Sequence, residues 1–130
     1  MRIEIEPRPD HLLAVASGSF DHAQLADVLK DIFTASSRHG LRKILIDART
    51  LEGEISLMAR YDLGRIAAEL QREPVRIAVV ASEDQIWPDR FGENVANNRG
   101  VMAKVTTDIA EALKWLHPNA ANKPNAPDFN

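Results

Sequence analysis

Two uninterrupted apolar runs in the middle of the chain set the terms for the fold. Ile44-Leu45-Ile46 lies between Lys43 and Asp47, and Ile77-Ala78-Val79-Val80-Ala81 follows later. Neither run alternates with polar residues. A strand with one wet face does alternate, so these two read as strands covered on both faces, the pattern of a parallel sheet with helices above and below. Between them the period becomes helical. Ala59, Leu63, Ile66, Ala67 and Leu70 recur on one face of a segment from roughly Ser56 to Gln71, while Asp62, Arg65 and Glu69 are spaced for ion pairs on the other. Pro74 prevents its continuation. Strand, helix and parallel strand make one crossover unit.

The flanking segments extend this unit. Ile3 and Ile5 alternate with Arg2, Glu4 and Glu6, the period of a half-wet strand, and Pro7 and Pro9 end it. Leu12 to Ala16 reads as a second strand, closed by Ser17-Gly18-Ser19, and the short turn before it favours antiparallel pairing with the first. Asp21 then begins a helix, with Gln24 at the spacing of a capping box. Leu25, Val28, Leu29, Ile32, Phe33 and Ser36 form its inward stripe, and Gly40 stops it. After the fourth strand come a short helix near Asp89 to Asn97, a fifth strand from Val101 to Val105, and a last helix from about Thr107 or Asp108. Ile109, Ala112, Leu113 and Leu116 give that helix its apolar face. The expected fold is α/β: a single mixed, mostly parallel sheet of about five strands with four helices on both faces. Residues 1–116 read as one domain. The tail, residues 117–130, has three prolines, four asparagines and no periodicity, and reads as disordered.

Composition narrows the function classes. There is no cysteine, which excludes thiolate catalysis, disulfides and cysteine-based metal sites and is compatible with a cytoplasmic protein. The formal net charge of -3 and the lack of a basic run leave no footprint for nucleic acid. No apolar run approaches the ~20 residues that span a bilayer, and the N-terminus lacks the apolar stretch of a signal peptide. No Gly-x-Ser-x-Gly elbow, phosphate loop or dinucleotide fingerprint is present. The expectation is a non-enzyme without a cofactor.

Several segments, in order, resemble the STAS domain family, and within it the SpoIIAA-like (STAS/SEC14-like) branch. They are Ile44-Leu45-Ile46-Asp47, Leu51-Glu52-Gly53-Glu54-Ile55-Ser56, Arg60-Tyr61-Asp62-Leu63-Gly64, the run from Phe91 to Gly100, and Ala112-Leu113-Lys114-Trp115-Leu116. Together they cover most of residues 2–116. The resemblance implies a domain largely without assigned biochemistry and so gives fold more than function; together with the apolar residues of the second helix it leads to the expectation of a bacterial regulatory, protein-binding module. It also implies a phosphorylatable serine at the start of the helix after the third strand, within an Asp-Ser pair. Ser56 occupies that place, but Ile55 precedes it, so Ser56 corresponds by location alone.

Each candidate residue has two readings. Ser56 is a phosphorylation site, where free amides and the helix dipole favour a phosphate, or simply an N-cap. Leu57, Met58 and Tyr61, with Phe20, form an apolar surface for a protein partner, a second copy of the chain or a small apolar ligand or lipid; ordinary packing explains the same residues. Trp87, in an Ile-Trp-Pro loop, anchors a partner, forms the wall of a ligand pocket, or folds back as a lid over the sheet edge. Arg99 contacts an anion or pairs with the acidic loops. Asp47 is expected to end the third strand, with Glu52, Glu54, Glu83, Asp84 and Asp89 in loops at the same edge; they form a metal or paired-carboxylate site, or simply solvated acidic loops with Asp47 bonding loop amides. His11, His22, His39 and His117 are scattered, with no metal-type spacing among them, and read as surface residues; no metal ligands are assigned.

Overall fold

The computed structural model describes residues 1–86 and 91–118. Five strands, β1 (Arg2–Pro7), β2 (Leu12–Ser19), β3 (Lys43–Glu52), β4 (Arg76–Val80) and β5 (Met102–Thr106), form one sheet in the order β1-β2-β3-β4-β5. The first pair is antiparallel and the rest are parallel. The helices are α1 (Leu25–His39), α2 (Leu57–Leu70), the single turn α3 (Glu83–Ile86), α4 (Phe91–Asn98) and α5 (Ile109–Leu116).

The sheet divides the apolar residues by the two-residue period of its strands. Leu12, Ala14, Ile44 and Ile77, backed by Ile46, Val79 and Ala103, point to the face covered by α1, α2 and α4. Leu45, Ala78 and Val80, with Leu13, point to the face covered by α5 through Ala112 and Leu116. The two central runs are therefore continuous because consecutive residues serve two cores. Ile44, Leu45 and Leu116 are fully or almost fully buried, each worth roughly 1.5–3 kcal/mol relative to exposure.

The distribution of helices follows from topology. With strands in sequential order, crossovers of one hand return on the same side of the sheet each time. So α1, α2 and α4 lie together, and among the described residues α5 alone serves the second face. Both faces are covered as expected, but unequally.

Several boundaries differ from expectation. Ser17, Gly18 and Ser19 continue β2 after an irregularity between Val15 and Ser17, with Gly18 at a φ of 81°. β3 runs to Glu52, so Asp47 sits in mid-strand; pairing with the prolonged β2 carries it on. Asp21 caps a short 3₁₀ turn, His22–Gln24, by accepting from the Ala23 amide at 3.0 Å, and α1 begins only at Leu25. Thus the expected capping box is a tighter turn. Glu83 and Asp84 belong to α3 and not to a loop. Gly40 ends α1 in the left-handed conformation, and Asp108 caps α5 through the Ala110 amide.

Candidate functional site

The residues singled out in the sequence gather around the start of α2, above the C-terminal ends of the strands. Ser56 is the N-cap: its Oγ accepts from the Ala59 amide at 3.1 Å, and the residue is exposed. The approach to it is fixed by three contacts. The Phe20 amide donates to the Glu52 carbonyl at 2.8 Å, Gly53 turns the chain at a φ of 96°, and Arg60 Nε donates to the Ile55 carbonyl at 3.1 Å. Arg60 also donates to the Gln85 carbonyl, which ties α2 to α3. Burial pushes the Arg60 guanidinium below the usual arginine value.

Leu57 and Met58 follow the cap and are 53% and 61% exposed. Spacings of three and four residues place both next to Tyr61 on the helix surface. Arg99, from the turn after α4, donates to the Tyr61 hydroxyl at 3.1 Å and lies over its ring at 5.6 Å. The site therefore brings Leu57, Met58, Tyr61 and Arg99 into one strip. Among the described residues Arg99 pairs with Tyr61 and with no acidic side chain, because α4 packs beside α2.

The strip has a charged margin. His22 Nε2 and Asp62 Oδ2 are 2.8 Å apart, and Arg65 bridges Asp62 and Glu69 at 3.2 and 2.9 Å. The hydrogen bond from His22, with help from Arg65, holds the Asp62 carboxyl below its ordinary value. Phe20 stacks on His22 with ring centres 6.4 Å apart. An apolar centre with a polar rim is the anatomy of a protein-binding patch.

Beneath this site, between the sheet and α1, α2 and α4, lies an apolar cavity of about 140 Å³. Phe20, Ile46, Leu51, Leu63 and Val79 are among its walls. Phe20 is half-buried and faces this interior instead of extending the exposed strip. Asp47 accepts from the Arg49 amide at 3.1 Å and from the Arg49 guanidinium at 3.0 and 2.8 Å. These bonds hold its carboxyl below the usual range. Asp47 is thus engaged by a local arginine as well as by the expected amide. Trp87 and Asp89 lie outside the described residues, as does most of the asparagine-rich tail.

The histidine reading needs correction. His11 and His117 are not scattered surface residues: their side chains are 13% and 14% exposed, and the rings lie 5.6 Å apart. His117 belongs to the folded body and not to the tail. It caps α5, and its Nδ1 accepts from Lys43 Nζ at 3.2 Å. Burial pushes its imidazole below the usual histidine value. Asp10 contacts both rings, at 2.8 Å to His11 and 3.6 Å to His117. Its carboxyl is lowered, chiefly by the bond from His11. Sequence spacing gave no signal, since the topology alone joins the β1–β2 turn to the end of α5.

Comparison with known proteins agrees with the architecture. Neither the family models nor the curated proteins compared contain a match to the chain. Among solved structures, the crystal structure of an anti-sigma factor antagonist from Mycobacterium paratuberculosis aligns with a TM-score of 0.57 at 18% identity, covering 89% of this chain and 93% of that one. The chain has the STAS, SpoIIAA-like fold of anti-sigma-factor antagonists, the architecture anticipated from its sequence.

Proposed function

We propose that this chain is a non-catalytic regulatory module of the bacterial cytoplasm that binds a protein partner through the first turns of α2. Leu57 and Met58 supply the apolar contact, Tyr61 and Arg99 its border, and Ser56 a position at which phosphorylation would switch binding. The carrying observation is the pair Leu57 and Met58, exposed side by side at a well-capped helix start. The similarity to an anti-sigma factor antagonist supports a protein partner. Phosphate on Ser56 would meet the free amides of the helix start and add charge beside an apolar contact.

Affinity capture from the source cell's extract tests this reading. The expected result is a protein retained by the wild-type chain and lost with Met58→Glu, whose fold is checked by circular dichroism. Identical captured sets would refute it. Size-exclusion chromatography with light scattering on the same two proteins shows whether the partner is a second copy. Intact mass of protein purified from the source cell shows phosphate on Ser56.

The cavity supports a second, narrower reading. At about 140 Å³ it suits a single ring and not a lipid chain, since an apolar cavity of this order admits a molecule such as benzene. The comparisons give lipid binding no support. Native mass spectrometry of freshly purified protein decides the matter: a co-purifying small mass is expected if the cavity is occupied, and a bare chain removes this reading.

A further inference from the structure

We propose that Asp10, His11 and His117 form a binding site for a divalent transition-metal cation, with zinc as the best match to the donors. One ligand atom from each of the three residues lies within 4.8 Å of the others. Two imidazoles and one carboxylate are a donor set that zinc and its neighbours accept, leaving a position for water. Ligand atoms around a tetrahedral zinc stand about 3.4 Å apart, given bonds of about 2.0–2.2 Å. Asp10 reaches the two imidazoles through different oxygens, Oδ1 at 2.8 Å from His11 Nδ1 and Oδ2 at 3.6 Å from His117 Nε2, distances on either side of that spacing. Small side-chain rotations therefore complete the site.

A second observation points the same way. His117 Nε2 is buried and has no hydrogen-bond partner among the described residues. A buried polar atom without a partner is costly. Lys43 Nζ donates to Nδ1 of the same ring, which leaves the ring proton on Nε2, aimed at an Asp10 oxygen too far away to accept it. A cation would take the Nε2 lone pair, move the proton to Nδ1 and release Lys43. Metal-bound histidines normally donate their second N–H to an acceptor. Lys43 cannot accept, so it competes with the metal for His117.

The test is calorimetric titration of the tag-free full chain with Zn²⁺, with Co²⁺ absorption as the spectroscopic probe. One Zn²⁺ per chain is expected. His11→Ala, His117→Ala and Asp10→Asn each weaken binding at least tenfold, on the scale at which ligand-sphere changes act. Asp10→Asn preserves shape at an exposed position, so it reports even where a histidine variant folds poorly. Lys43→Gln, whose amide oxygen can accept from Nδ1, tightens binding several-fold. His39→Ala, at an exposed histidine outside the group, leaves it unchanged. Binding no tighter in wild type than in Asp10→Asn, or binding lost only with His39→Ala, overturns the site.

Discussion

The two faces of the sheet are built to different standards. Three helices cover one face, yet that layer keeps an apolar cavity of about 140 Å³. One eight-residue helix covers the other, and there Ala112 and Leu116 are fully buried. Arg76 fastens the thin side, donating to the Trp115 carbonyl at 2.6 Å with its guanidinium 4.0 Å above the indole. The thick layer must fit three helices to one another as well as to the sheet, and small residues mediate the fit. Gly64 of α2 lies so close to α4 that a Cβ there would stand 2.9 Å from the Ala96 nitrogen and the Gly92 oxygen. Coverage and packing are thus separate properties: the face with more helices still retains an apolar cavity, and it is the face from which the α2 site projects.

Substitutions can break or sharpen this contrast. The largest effect is expected for Leu116→Ala on the thin face, where no second helix closes the gap: a loss of about 2–5 kcal/mol in chemical denaturation. Gly64→Ala follows, with about 1–3 kcal/mol lost, because the clash is with the α4 backbone and not a movable side chain. A neutral Gly64→Ala would mean that α2 and α4 slide freely, and the thick layer would be softer than described. Arg49→Ala costs about 0.2–1 kcal/mol, the scale of an exposed pair. It also has a pH signature. Asp47's folded-state value lies below the ordinary 3.8, so the pair's stabilisation is present above that value and fades as pH falls through the depressed one. Carboxyl-detected NMR titration of the Arg49→Ala protein should find Asp47 shifted back up. The smallest effect is expected for Ala103→Val, within about 0.5 kcal/mol of wild type, because its added methyls enter the cavity. A large loss there would show that the space is not free.

Much of this architecture was readable from local pattern. The continuous runs at Ile44 and Ile77 announced strands packed on both sides, and the caps at Ser56 and Asp108 announced two helix starts. The unequal distribution of helices was not readable, since it depends on strand order. The reason for a glycine at position 64 was not readable either, since only the approach of α4 explains it. Leu57, Met58 and Tyr61 are neighbours on α2, as helical spacing alone places them. The Arg99–Tyr61 contact and the Asp10–His11–His117 group join residues far apart in sequence. No periodicity reports such meetings.

Gln85 carries a consequence beyond the α2 site. β3 pairs with β4 only as far as Asp47, so from Ala48 onward its β4 side has no strand beside it among the described residues. An open strand margin is a template for another polypeptide. Gln85 occupies it: the carboxamide, in a residue 8% exposed, donates to the Leu51 carbonyl at 2.8 Å and accepts from the Ser82 amide at 3.2 Å. One side chain thus makes a bond that a neighbouring strand would otherwise make, at the Leu51 carbonyl on the overhanging half of β3.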